Sequence, residues 1–321
     1  AASDVYKRQY VLFAFAALVV AIAGLPPFPG FWAKWQLLQM LALDGQYFWI
    51  ALVLTGSLFE AAYLFRWFGQ SLGRTSSTEN IEATRLSLMP IYGALLLLII
   101  GGYSAARIAG LDGVWIFMPL LIGAAMIVLE PSPAQLKWAF TFIGVCVVGL
   151  WSLAESEGIG FLFAAVLYAG CVALVVACLY AKHKRPGFYP LLAVMLLSLQ
   201  ALPCATTSLE FFFLFELVTL SSYFLIVSRS SARSAAFSYL IWSLAAGYFV
   251  LAGFSVAYAV TEDVALQSLS SAGPESALTF ALLSIGFLIK AACIGVHVWL
   301  PAAYAESDDD LSAMLSAIVS K

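Results

Sequence analysis

Charge is what this chain has least of. Of its 321 residues only 10% are Asp, Glu, Lys or Arg, and the net charge is −3. So little positive charge leaves no electrostatic footprint for nucleic acid. Histidine is rarer still, with two in the whole sequence. The five cysteines, Cys146, Cys171, Cys178, Cys204 and Cys293, are scattered, and none forms a C-x-x-C pair. All five lie in apolar stretches, where a free thiol serves as a small packing residue. This inventory excludes an iron–sulfur, haem or zinc site, so no metal and no cofactor is expected on this chain. No Ser/His/Asp or metal-ligand set recurs in the apolar segments, which argues against an intramembrane enzyme. No stretch has the pattern of a cleaved secretion signal, so the first helices are expected to insert directly.

What is abundant is apolar surface. Hydrophobic residues make up 63% of the chain and aromatics 15%, with a mean hydropathy of +0.97. Such a composition belongs to a polytopic membrane protein. Lipid offers the backbone no hydrogen bonds, so spans of this length are helices. The expected fold class is all-α, a polytopic membrane protein with about ten to eleven transmembrane helices, two of them discontinuous.

Ala1 to Gln9, "AASDVYKRQ", is polar and unlike the rest of the chain, and reads as a non-native leader outside the fold. From Tyr10 the text is apolar to Gly24, breaks at "GLPPFPG" (Gly24–Gly30), and resumes as "FWAKWQLLQMLAL". Three prolines and two glycines in seven residues cannot continue a helix. Two half-helices meeting at membrane depth are what transporters use to line a cavity. Lys34 falls about one turn into the second half. The next span, roughly Tyr47–Phe68, holds Glu60 and, six residues on, Arg66. That spacing puts the two on different faces. The basic loop "KHKRPG" (Lys182–Gly187) marks the cytoplasmic side, and counting helices from it puts Arg66, Arg74, Arg85, Lys137, Arg229 and Arg233 on that side too.

The densest concentration of signals is "GFLIKAACIGVHVWLPAAYAESDDDLSAMLSAIVSK" (Gly286–Lys321). Lys290 sits in an apolar helix, where an ammonium needs a partner or a wet path. Gly295, His297 and Pro301 then interrupt that helix, and a further apolar segment carries Lys321. Upstream, "SLEFFFLFELVTLSSYFLIVSRS" places Glu216 well inside an apolar span, with Glu210 six residues nearer the outer interface. Desolvation disfavours the charged form of both a carboxylate and an ammonium. Brought together the two keep each other charged, and moved apart the lysine tends to release its proton. Modest helix motion would therefore load and unload a lysine. The same pair also reads as static packing glue. His297 would share the face of Lys290 on a continuous helix, and histidine as a type exchanges protons near neutral pH. A hydrogen-bonded histidine fixing the "HVWLP" bend is the equal alternative.

Four of these segments, "FFFLFELVTLSSYFLI", "GFLIKAACIGVHVWLPAAYAE", "LSAMLSAIVSK" and "AGLPPFPGFWAKWQLL", resemble signature segments of the antiporter-like subunits. Those subunits occur in respiratory complex I, membrane-bound hydrogenases and Mrp-type cation/proton antiporters. The resemblance implies that Glu216 is the fifth-helix glutamate, Lys290 the seventh-helix lysine and Lys321 the eighth-helix lysine. It makes His297 the histidine of the H-x-W-L-P segment and Lys34 the twelfth-helix lysine at the proton exit. Glu60 and Glu210 are accessory candidates. The order is unusual, since the twelfth-helix motif comes first. The chain thus resembles the C-terminal helices of one such subunit (residues 10–109) joined to the N-terminal helices, one to eight, of another (residues 110–321). The turn "AESDDDLSA" (Ala305–Ala313) departs from that of complex I members and leans toward the hydrogenase or Mrp side.

The resemblance implies a proton-translocating subunit of an energy-converting complex, NADH:quinone oxidoreductase-like or hydrogenase-like, relaying protons through buried Glu and Lys residues. An Mrp-type sodium/proton antiporter subunit and a non-conducting scaffold for a soluble enzyme are the alternatives. The expected partners are the lipid bilayer, other membrane subunits and a soluble redox arm that would carry any redox cofactors. The expected location is the inner (cytoplasmic) membrane of a prokaryote.

Overall fold

A backbone in hydrocarbon can bond only to itself, and the computed structural model is accordingly helical. It describes residues 2–72, 85–111, 113–179, 185–271, 273, 276–293, 295–307 and 312. Among these no strand occurs, and one isolated bridge joins Thr207 to Ala265. Among the described residues six helices are long and apolar enough to cross a membrane, and four shorter apolar helices accompany them. The protein is an all-α, multi-pass membrane protein.

The chain divides into two compact units, Ala1–Asp112 and Gly113–Lys321. The first holds α1 (Ala2–Ile22), α2 (Pro29–Leu43), α3 (Tyr47–Ser71) and α4 (Arg85–Ile108). Helix α1 starts at Ala2, so the polar stretch expected to lie outside the fold is helical. It contains neither glycine nor proline, and a helix once nucleated propagates through such residues. The expected break at Gly24–Gly30 separates α1 from α2. Leu25 N–H bonds Val20 O and Gly24 N–H bonds Ala21 O, with Gly24 at φ +63°. This is a Schellman ending, with glycine in the left-handed position. Pro29 then opens α2 at a position where its missing N–H costs nothing. Helix α4 accepts the irregular segment through two glycines. A Cβ at Gly102 would collide with Pro27 O, and one at Gly101 would lie 3.2 Å from Pro29 Cγ.

The second unit holds α5 (Met118–Val128), α6 (Ala134–Glu155), α7 (Gly158–Ala177), α8 (Phe188–Ala201), α9 (Ser208–Val227), α10 (Arg233–Thr261), α11 (Ser276–Lys290) and α12 (Trp299–Glu306). Helices α9 and α10 form its centre and are largely buried, whereas α6 and α7 are mostly exposed. Small residues let the backbones approach, as is usual between membrane helices. A Cβ at Gly286 of α11 would lie 2.7 Å from Ala246 O and from Val250 Cγ2 of α10. One at Gly253 of α10 would lie 2.9 Å from Leu283 Cγ of α11. At one end of this unit Glu130 ties three segments together: Oε1 accepts from Lys137 Nζ (3.4 Å) and from Gly187 N–H (3.1 Å).

Candidate functional site

Helix α9 is apolar on every side, and such a helix belongs in the interior. It begins with a capping box: Thr207 Oγ1 accepts from Glu210 N–H, and the Glu210 side chain returns to the cap. Glu210 Oε2 accepts from Thr206 N–H (2.8 Å), the Thr206 hydroxyl (2.8 Å) and Thr207 N–H (3.2 Å). Its carboxylate is therefore engaged in starting the helix.

Glu216 lies six residues further in, about 9 Å along the axis, and is 1% exposed. Its carboxylate rests against the backbone of α10 at Gly247, where any Cβ would collide with Oε1. Lys290 is the last residue of α11 and is 8% exposed. Its ammonium donates to Thr219 Oγ1 at 2.8 Å. The Thr219 hydroxyl in turn donates to Phe215 O at 3.1 Å. Thr219 is three residues after Glu216, on the same face of α9. Two rings complete the seat, with Nζ 5.1 Å from the Phe215 centroid and 5.3 Å from that of Tyr239. The structure thus brings Glu216 and Lys290 to one face of α9, one turn apart, with Thr219 between them.

Helix α11 ends at Lys290, earlier than Gly295, where the sequence placed the first interruption. Cys293 N–H bonds Leu288 O and Ala292 N–H bonds Ile289 O, with Ala292 at φ +52°. This is again a Schellman ending, with alanine in the position that favours glycine. Trp299 opens α12 and closes back on the break: its Nε1 donates to Ile289 O (3.2 Å), and its ring meets Tyr239 at 5.3 Å. His297 is exposed, and its Nδ1 accepts from Gly295 N–H at 3.3 Å. In this conformation its ring braces the bend.

In the first unit Lys34 reaches back over the break and donates to Ala23 O at 3.3 Å. That carbonyl lies at the C-terminal, negative end of α1, where a cation is favoured. A Cβ at Gly24 would lie 3.0 Å from its Nζ. Glu60 is exposed, halfway along α3. Lys321 lies outside the described residues. Among the described residues no group of three or more His, Cys, Asp or Glu is placed to hold a metal ion.

Reading the sequence for charge missed Thr219, Tyr239, Gly247 and Gly286. Thr219 carried a usable signal, because a hydroxyl three residues from a buried glutamate shares its face. Gly286, four residues before Lys290, likewise shares the lysine's face. Nothing in the sequence marked Gly247 or Tyr239 until α9 and α10 were known to face each other.

Residues 205–321 match the family described as NADH:quinone oxidoreductase/Mrp antiporter, transmembrane. The chain is 27% identical to NADH-quinone oxidoreductase subunit N of Leptospira biflexa, over 62% of this chain and 49% of that protein. It is 31% identical to subunit N of Desulforudis audaxviator, over 50% of this chain and 34% of that protein. It therefore spans about half or less of the length of these curated relatives. Among solved structures it resembles a chain of the membrane-bound sulfane sulfur reductase, an archaeal respiratory membrane complex. The TM-score is 0.56 at 18% identity, covering 65% of this chain and 50% of that one. At that identity the likeness speaks to the fold alone. Over residues 205–321 the chain is therefore similar to the antiporter-like membrane subunits of NADH:quinone oxidoreductases and Mrp antiporters.

Proposed function

We propose that this protein is a proton-translocating subunit of an energy-converting membrane complex of the NADH:quinone oxidoreductase or hydrogenase type. The observation that carries the reading is the buried Lys290 ammonium, held by Thr219 Oγ1 at 2.8 Å one turn from the buried Glu216. A carboxylate and a proton-carrying amine sharing one helix face form a loading device. At an effective dielectric of about 20, moving an ammonium from about 4 to about 8 Å from a carboxylate weakens their attraction by roughly 2 kcal/mol. That corresponds to roughly thirtyfold in proton occupancy. A small shift of α11 against α9 is enough to switch Lys290 between holding and releasing a proton. Lys321 is the acceptor on this reading, and His297 is a second relay group near the bend. The partners are other membrane subunits and a redox arm that carries the cofactors, in the cytoplasmic membrane of a prokaryote. Lys34 releases protons from a preceding module, residues 10–109 and 110–321 deriving from two antiporter-like modules. The subunit N relatives support this reading by name.

The test is Lys290→Ala in the full-length protein within its complex. Proton translocation by membrane vesicles should be abolished while the complex assembles. Full pumping by the variant would remove Lys290 from the mechanism. A second reading, sodium/proton antiport, rests on the acidic turn Glu306–Asp310. Vesicle pH jumps that depend on added sodium would favour it.

A further inference from the structure

We infer that Ser243 is a positioning residue of the Glu216–Lys290 pair, its hydroxyl holding the water through which a proton passes between them. The inference rests on the reading above and adds a group that carries no charge.

Three observations converge on Ser243. The first is its place on α10, where Tyr239, Ser243 and Gly247 recur every four residues and form one stripe. Both ends of that stripe are pinned to the pair. Tyr239 lies 5.3 Å from Lys290 Nζ, and Gly247 is the bare backbone against which Glu216 Oε1 rests. Ser243 is midway.

The second observation is the helix register. Gly286 of α11 packs on Ala246 and Val250, and Leu283, further back, packs on Gly253, so α10 and α11 run antiparallel. Lys290, one turn beyond Gly286, therefore comes level with residues 242–246 of α10. Ser243 is buried in that stretch at 1% exposure.

The third is where its hydroxyl does not go. Buried serines and threonines in membrane helices commonly return their proton to the carbonyl four residues back. Ser255 and Thr261 of the same helix do so, at 2.8 Å to Leu251 O and 2.9 Å to Ala257 O. Ser221 of α9 bonds Leu217 O in the same way. Ser243 Oγ makes no such bond and has no protein partner among the described residues. The Tyr239 hydroxyl, at the lysine end of the stripe, also has none. Two buried hydroxyls on one stripe, beside a carboxylate and an ammonium, offer the polar partners that an internal water requires.

The step balances simply. One proton leaves the protonated Glu216 carboxyl for a water oxygen, and that water passes one of its own protons to the neutral Lys290 amine. The glutamate becomes a carboxylate and the lysine an ammonium, loaded for onward release. Water and Ser243 end as they began, the hydroxyl having only oriented the bridge.

The experiment compares Ser243→Ala, Ser243→Thr and Lys290→Ala in the full-length protein within its complex. It reads proton transport by vesicles, the solvent deuterium isotope effect, and the infrared carbonyl band of protonated Glu216. Ser243→Ala should slow transport by about tenfold, the effect of one lost hydrogen bond, and should shift the carbonyl band. Ser243→Thr, which keeps the hydroxyl, should stay within about twofold of the parent. Parental transport in Ser243→Ala beside an inactive Lys290→Ala would overturn the role of Ser243 and leave the proposed function standing. Equal loss in the Ala and Thr variants would overturn it too, by showing a steric effect. Parental transport in Lys290→Ala would end the broader reading. If Ser243→Ala does not assemble, Ser243→Cys replaces it, and parental transport with that poor donor would overturn the inference.

Discussion

Lys290 is stable where it sits because three neighbours answer one charge. A lysine at membrane depth costs up to about 3 kcal/mol on insertion scales. The bond to Thr219 and the two ring faces each offset roughly 1 kcal/mol of that. Glu216 depends on a missing atom instead. Gly247→Ala would drive a methyl group into Oε1, and the overpacking should cost about 1–3 kcal/mol of stability. Transport should fall by roughly tenfold or more, since a displacement of about 1 Å at a reacting group can cost a hundredfold. Thermal unfolding and vesicle pumping of that variant check both effects, and unchanged pumping would show that the carboxylate tolerates displacement. The charged members of this site were legible in the sequence, because a charge in an apolar run declares itself. Thr219, Ser243 and Gly247 were not, because neutral small residues look like packing until the facing helix is known.

Between residues and the whole chain stand the two broken helices, and they end by the same device with different residues. Gly24 at φ +63° is the residue type that position favours, whereas Ala292 at φ +52° is strained. Gly24→Ala should destabilise the first unit by roughly 1–2 kcal/mol, the cost of a Cβ in left-handed backbone. The new methyl group would also press on Lys34. Ala292→Gly should stabilise the second unit by about 0.5–1 kcal/mol, because the relieved strain exceeds the added chain entropy. Denaturant unfolding of the two variants should move in opposite directions, and parallel shifts would contradict the geometry. The first break was plain in "GLPPFPG". The second was expected at Gly295 but begins after Lys290, because an alanine, ordinarily a strong helix former, takes the left-handed position.

For the molecule as a whole, the contrast that matters is between α9 and α10, which are largely buried, and α6 and α7, which are mostly exposed. Helices that expose so much apolar surface suit lipid or neighbouring membrane proteins. Glu60, exposed halfway along α3, is costly against lipid alone. A tagged full-length protein purified from native membranes should therefore bring other membrane subunits with it. Mass spectrometry that finds iron–sulfur, nickel or flavin proteins among them would support a redox-driven pump. Small membrane subunits alone would favour the antiporter, and a single large soluble zinc protein would favour a scaffold.

The sequence by itself determined that the chain is helical and membrane-embedded, where its first helix breaks, and that Glu216 and Lys290 stand in apolar helices. Each is a consequence of the bilayer, which forbids unbonded backbone and penalises charge wherever it occurs. Only the tertiary structure decided which helices are central, that Lys290 meets Thr219, and that Gly247 seats Glu216. Lipid is as apolar as leucine, so hydrophobicity records depth in the membrane and is silent about neighbours.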